Sequence, residues 1–232
     1  MPSPSIRPLE LPVDDAATVW SVPRAELPKA LTDRPLLVLM HGYGSHERDL
    51  AALADHLDPG PVIASLRAPL PAGPGYAWFP ITDPTRAGHP DLDLANAATA
   101  GVMAWLEEVH ALTRTPGPVG LLGFSQGGAM VTHLLRHHPE LFACGVALSA
   151  FTVPGLVSGD QALAEIAPPL YWGRGLDDPL IGAEAIERTE SFLAAHTTLT
   201  ARTFAGLGHG VAGEEIEEVA QFLRTHLGAH PG

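Results

Sequence analysis

The chain has 232 residues, 46% of them hydrophobic, with 24 glycines, 23 prolines and a formal charge of −13. That length suits one domain with a core large enough to need no staples, and the abundant Gly and Pro imply many turns rather than a helical bundle. With only 13 Lys and Arg the chain lacks the cationic surface that nucleic acid or anionic lipid requires, and no apolar run approaches the roughly 18 to 20 residues of a membrane span.

Residues 1–14 carry four prolines and no basic start leading into an apolar stretch. They are expected to be a flexible N-terminal segment rather than a secretory signal, with a single domain over 15–232. Residues 17–22 form a short strand candidate around Trp20. Residues 35–40 (Pro-Leu-Leu-Val-Leu-Met) are a continuous apolar run ending at His41-Gly42, the pattern of a strand buried on both faces. The same pattern recurs at 61–66, 119–124, 144–149 and 169–172, with a more polar run at 200–204. Apolar residues three and four apart predict helices over about 47–57, 92–112, 126–137, 183–196 and 213–227. Strands and helices alternate, and the strands are too apolar for a one-sided sheet. An α/β fold is therefore expected, a mostly parallel central sheet with helices on both faces.

The lone cysteine, Cys144, falls in a predicted strand and reads as an inert core thiol. One cysteine excludes an internal disulfide and a Cys-rich metal site, and it fits a reducing compartment, so a cytoplasmic location is expected.

The sharpest motif is Gly123-Phe124-Ser125-Gln126-Gly127-Gly128, a G-x-S-x-G string between an apolar strand and a helix. A serine that projects its hydroxyl above a sheet must sit on a very tight strand-to-helix turn. The positions two before and two after it then need glycine to avoid neighbouring backbone. Gln126 opens the helix, so its backbone N–H is an unpaired donor at the positive dipole end, suited to an oxyanion. Without partners for the serine, the same string describes an ordinary Gly-rich turn with Ser125 as helix N-cap.

A serine hydroxyl needs a base in hydrogen-bond reach, itself oriented by a buried acid, and on this kind of sheet the chain order is Ser, acid, His. Among 12 histidines, His209 stands in the glycine-rich loop Gly206-Leu207-Gly208-His209-Gly210, between the last predicted strand and the last helix, and is the expected base. His133, His137 and His138 fall on the helix after Ser125. The pair His133 and His137 lacks the Glu of an H-E-x-x-H arrangement, so no metal site is expected, and positive charge near a helix C-terminus is the better reason for them. Two adjacent acids, Asp177 and Asp178, follow the 169–172 strand. Pro179 holds the residue before it extended and so favours Asp178, with Asp177 as the turn-forming alternative. The loop His41-Gly42-Tyr43-Gly44 allows close backbone approach and suggests the Tyr43 N–H as second oxyanion donor, with His41 organising that loop.

Taken in order, His41-Gly42-Tyr43-Gly44 with acidic residues behind it, Tyr76-Ala77-Trp78-Phe79, the Ser125 motif, Leu148-Ser149-Ala150-Phe151, Gly175 to Asp178 before Pro-Leu-Ile, and Gly208-His209 resemble the carboxylesterase/phospholipase family of small α/β-hydrolases, which includes acyl-protein thioesterases. The resemblance runs along most of the chain. It implies an α/β-hydrolase fold without a large cap, and cofactor-free cleavage of a small-molecule acyl ester or thioester through an acyl-enzyme. It also implies Asp178 as the acid, three places after the glycine at 175, and the amides of Tyr43 and Gln126 as oxyanion donors. Trp78, Phe79 and Phe151 match loops that border the nucleophile and are candidates for substrate contact, with core anchoring as the other reading. Arg174, where the family usually has His, and Tyr43, where it often has Leu, depart from its pattern beside the site and bear on substrate preference. Other readings of the same motifs are a lactonase resembling dienelactone hydrolase, although that group uses Cys at the turn, and a catalytically silent ligand-binding module.

Overall fold

A computed structural model describes residues 11–57, 60–81 and 90–228. The expected flexible segment lies mostly outside these residues, and Leu11, at its end, is buried in the core.

The chain begins with β1 (Val19–Trp20), α1 (Leu27–Asp33) and β2 (Leu36–Met40), then α2 (Glu47–Ala51), β3 (Val62–Leu66) and a hairpin of β4 (Leu70–Ala72) and β5 (Gly75–Ala77). It continues through α3 (Leu92–His110), β6 (Val119–Phe124), α4 (Gln126–His137), β7 (Phe142–Leu148) and α5 (Asp160–Ile166). It closes with β8 (Pro169–Gly175), α6 (Ala183–His196), β9 (Thr198–Phe204) and α7 (Gly213–Leu227). Seven of these strands make one sheet in the order β1-β3-β2-β6-β7-β8-β9, every pairing parallel except β1 with β3.

The apolar runs are explained by two cores, one on each face of the sheet. Leu36, Val38 and Met40 of β2 enter the core built with α3, α4 and α6, while Leu37 and Leu39 enter the one built with α7 and Leu50 of α2. Alternate side chains point to opposite faces, so a strand covered on both sides has no polar position to offer. β9 is one of the two edge strands, and its mostly exposed or half-buried residues account for its more polar sequence. Among the described residues no helix is long and apolar enough to cross a membrane.

The core helix α4 departs from a one-sided amphipathic pattern, being buried from Gln126 to Arg136. Its polar residues are therefore matched internally. Arg136 is 1% exposed, forks onto Asp160 at 2.7 and 2.8 Å, and donates to the carbonyls of Val153 and Gly155 at 2.6 Å each. The loop that carries Phe151 is thereby pinned to the helix. His133 and His137 both meet Oδ1 of Asn96, at 2.9 and 3.0 Å. Burial drives the His133 pKa down to about 3 and lowers that of His137, so a cation at the helix end is not what these residues supply. They are neutral groups of α4 that pack against α3 through Asn96.

On the other side of the sheet, Glu215 of α7 is fully buried against Gly173 of β8. Its Oε2 accepts from the Ala212 N–H at 3.2 Å, and among the described residues its Oε1 has no partner. Burial, with Glu218 nearby, raises its pKa from 4.5 to about 7. The folded chain thus holds this proton more tightly than the unfolded chain. The resulting stabilisation is complete below about pH 4.5 and is lost as pH rises through about 7. Between pH 5 and 8 the melting temperature of Glu215→Gln is expected to vary less than that of the wild type; equal slopes would mean the carboxyl is not protonated in the fold.

Candidate active site

β6 ends at Phe124 and α4 begins at Gln126, so Ser125 alone makes the turn between them, at φ 54° and ψ −114°. A non-glycine residue there costs about 1 to 3 kcal/mol and persists only where its surroundings enforce it. The enforcement is visible at both flanking glycines. A Cβ on Gly127 would overlap the Met40 carbonyl of β2, and one on Gly123 would overlap the Gly127 backbone. The Ser125 N–H donates to the Leu148 carbonyl at 2.8 Å, tying the turn to the end of β7.

His209 arrives on the loop between β9 and α7. Two contacts place that loop. Ser149, itself at φ 45°, donates its hydroxyl to the Gly210 carbonyl at 2.8 Å, and the Asp177 N–H donates to the Leu207 carbonyl at 3.0 Å. Gly175 passes so close to Leu207 and Gly208 that a side chain there would strike their carbonyls. The His209 ring packs against Phe124, centroids 5.0 Å apart.

The three side chains meet in one line. His209 Nε2 lies 2.9 Å from Ser125 Oγ, and Nδ1 lies 2.7 Å from Asp178 Oδ2. A carboxylate only accepts, so Nδ1 carries the proton and Nε2 presents its lone pair to the serine hydroxyl. The Asp178 side chain is 3% exposed and its Oδ1 accepts from the N–H groups of Leu180 and Ile181 at 2.8 and 3.3 Å. Asp177 is exposed, and among the described residues its hydrogen bond to the His209 loop is made by its backbone N–H. The carboxylate bonded to His209 is therefore that of Asp178.

Beside Ser125 lies a cavity of about 350 Å³ whose walls include Tyr43, Gln126, Phe151 and His209. Among the described residues no hydrogen bond engages the backbone N–H of Tyr43 or of Gln126, and α4 has no side-chain cap. The Tyr43 loop is held from behind by the β4–β5 hairpin. Gly44 donates to the Tyr76 carbonyl and Tyr76 to the Ser45 carbonyl, each at 2.8 Å. His41, fully buried, accepts the Ala68 N–H on Nε2 at 3.2 Å and so donates from Nδ1 to the Gly42 carbonyl at 2.8 Å; burial lowers its pKa and keeps it neutral.

Two expected substrate contacts are corrected. Trp78 and Phe79 are 0% and 1% exposed and do not line the cavity, whereas Phe151 does. Trp78 donates its indole N–H to the His41 carbonyl at 2.9 Å. The Gln126 side chain, itself buried, accepts from Trp78 N–H at 2.8 Å and donates to the Phe79 carbonyl at 2.7 Å. These aromatics anchor the segment behind the nucleophile because their backbone needs a buried polar partner there, and Gln126 is that partner. Sequence reasoning missed Ser45, Asp49, Ile81, Leu180 and Ile181, which also line the cavity. Leu180 and Ile181 stand in the Pro-Leu-Ile, and Asp49 among the acidic residues, that carry the family resemblance, while Ser45 and Ile81 have no signal beyond nearness to Tyr43 and Phe79.

The family model described as phospholipase/carboxylesterase matches residues 27–227. The chain is 29% identical over 174 residues to "Probable carboxylesterase SOBER1-like" of Arabidopsis thaliana, a match covering 73% of this chain and 64% of that protein, so it spans somewhat under two thirds of that relative's length. It is 25% identical over 224 residues to "Acyl-protein thioesterase 1" of Kluyveromyces lactis, covering 86% and 95% of the two chains. Among solved structures, a carboxylesterase from Mesorhizobium loti superposes with a TM-score of 0.69 at 26% identity, over 82% of this chain and 88% of the other. The fold is that of the α/β-hydrolases.

Proposed function

The chain belongs to the phospholipase/carboxylesterase family, and from that premise we propose that it hydrolyses carboxylic esters or thioesters through an acyl-enzyme on Ser125. The observation that carries this reading is the unbroken hydrogen-bond line from Ser125 through His209 to Asp178 at the wall of a cavity otherwise mostly apolar. Ser125 Oγ bonds to the acyl carbon while His209 Nε2 takes its proton, and Asp178 stabilises the imidazolium that forms. The amides of Tyr43 and Gln126 receive the developing oxyanion. His209 then gives its proton to the departing alcohol or thiol. Water, deprotonated by the same imidazole, attacks the acyl carbon, and as the bond to Ser125 Oγ breaks His209 returns that proton to Oγ and the acid leaves. Residues of the chain perform every step, with no cofactor.

A cysteine-dependent lactonase is disfavoured because Cys144 lies fully buried in β7 and burial pushes its pKa up to about 12. One cysteine also suits a reducing setting, and we place the reaction in the cytoplasm.

A fluorophosphonate probe is expected to label the folded wild type at Ser125 and to leave Ser125→Ala unlabelled. Turnover of acyl esters and thioesters of increasing chain length should show the same dependence on Ser125. A folded wild type that neither labels nor turns over any of them would favour a silent binding module.

A further inference from the structure

We propose that Asp49 makes the catalytic cavity selective for substrates that carry a cation, an ammonium or guanidinium group, on one limb of the ester or thioester. This rests on the hydrolase reading above. Asp49 lines the same cavity as Ser125 and His209. Its Oδ2 accepts from the Ser45 hydroxyl at 2.5 Å, which orients the carboxylate, and among the described residues no Lys or Arg pairs with it. The neighbouring acid makes the contrast. Glu47 is buried and neutralised by a two-pronged contact with Arg67 at 2.6 and 2.8 Å, which holds its pKa down to about 2. Arg67 in turn stacks over Tyr76, 4.6 Å from the ring centroid. One acid of this short helix is thus satisfied within the fold, and the other is an exposed residue that lines the cavity, where among the described residues its Oδ1 makes no hydrogen bond.

Asp49 itself is exposed, and the apolar side chains on the same cavity limit how far solvent surrounds a cation seated against it. Ile81, Phe124, Phe151, Leu180 and Ile181 are apolar walls, and a charge pair beside such walls is screened less than one on open surface. Tyr43, 46% exposed at the cavity, offers a ring face on which an alkylammonium can rest. The net charge of −13 adds a long-range field that draws cations in and repels anionic acyl donors.

The test compares esters that differ in one charge. In one pair a choline ester is set against the ester of its uncharged carbon isostere. In the other, an acyl chain ending in ammonium is set against one ending in methyl, on a common neutral alcohol. For one of the two pairs, kcat/KM of the wild type is expected to favour the cation by about 5- to 10-fold, mainly through KM, and the preference should shrink at high salt. In Asp49→Asn the ratio within that pair should fall to near one, and in Asp49→Glu much of it should remain. A wild-type ratio near one in both pairs, or a ratio that survives Asp49→Asn, overturns the proposal while leaving the hydrolase reading intact. Calorimetric binding of the same esters to Ser125→Ala reads the preference without turnover. If no ester is cleaved by the wild type, the hydrolase reading falls, and equal affinities within each pair would remove the cation subsite as well.

Discussion

Replacing Ser125 by alanine is expected to lower kcat for the best ester by roughly 10⁵- to 10⁶-fold while the cooperative thermal transition stays in place. The loss is this large because Ser125, His209 and Asp178 act as a unit. Once the oxygen 2.9 Å from His209 Nε2 is gone, the imidazole has nothing to activate but water. The residual rate comes from the oxyanion donors and from binding. Stability behaves differently. Alanine at 125 keeps a Cβ and therefore keeps the cost of φ 54°, so its melting temperature should stay close to that of the wild type. Glycine tolerates that backbone at no steric cost, and Ser125→Gly should be more stable than Ser125→Ala by about 1 kcal/mol despite equal inactivity. Steady-state assays with thermal melts of the three proteins separate the two effects. A Ser125→Ala rate within tenfold of the wild type would remove Ser125 as nucleophile.

Exchange of Asp178 for asparagine is expected to cost about 10³- to 10⁴-fold in kcat, the size seen when a buried triad acid becomes an amide. The near-isosteric side chain can still accept the N–H groups of Leu180 and Ile181, so the loop should hold. What changes is the proton on His209. If the amide nitrogen faces Nδ1 it donates there, which leaves Nε2 protonated and unable to accept from Ser125. The adjacent Asp177→Asn should change kcat less than about twofold, because that side chain is exposed and, among the described residues, neither hydrogen-bonds His209 nor lines the cavity. Comparable losses from the two variants would mean that the loop as a whole, rather than one carboxylate, orients the histidine.

Much of the scaffold was legible because it obeys local rules. The helices α4, α6 and α7 run over the predicted residues, and each parallel strand of the sheet lies on its predicted apolar or mixed run, shifted at most by a few residues at the ends. Period and burial carry that signal. The elements that escaped notice are short and hold proline or lack a long apolar period: α1 with Pro28, α5, and the β4–β5 hairpin with Pro71. Their order comes from neighbours. The hairpin forms because Tyr76 bonds the Tyr43 loop and Gln126 takes the backbone of Trp78 and Phe79, contacts that no window of sequence contains.

The sequence by itself determined the layered α/β scaffold, the tight turn at Ser125 with its two obligatory glycines, and His209 as the one histidine on a glycine-rich loop after the last strand. Each is a local matter of steric space, periodicity or position between elements. The choice of Asp178 over Asp177 was favoured by Pro179 and is met by the fold, whereas tertiary structure alone decided that Trp78 and Phe79 are anchors rather than cavity walls, that His133 is neutral, and that Asp49 lines the cavity. Those outcomes depend on which distant groups share a low-dielectric interior, and side chains many residues apart become neighbours only when the sheet brings its loops to one edge.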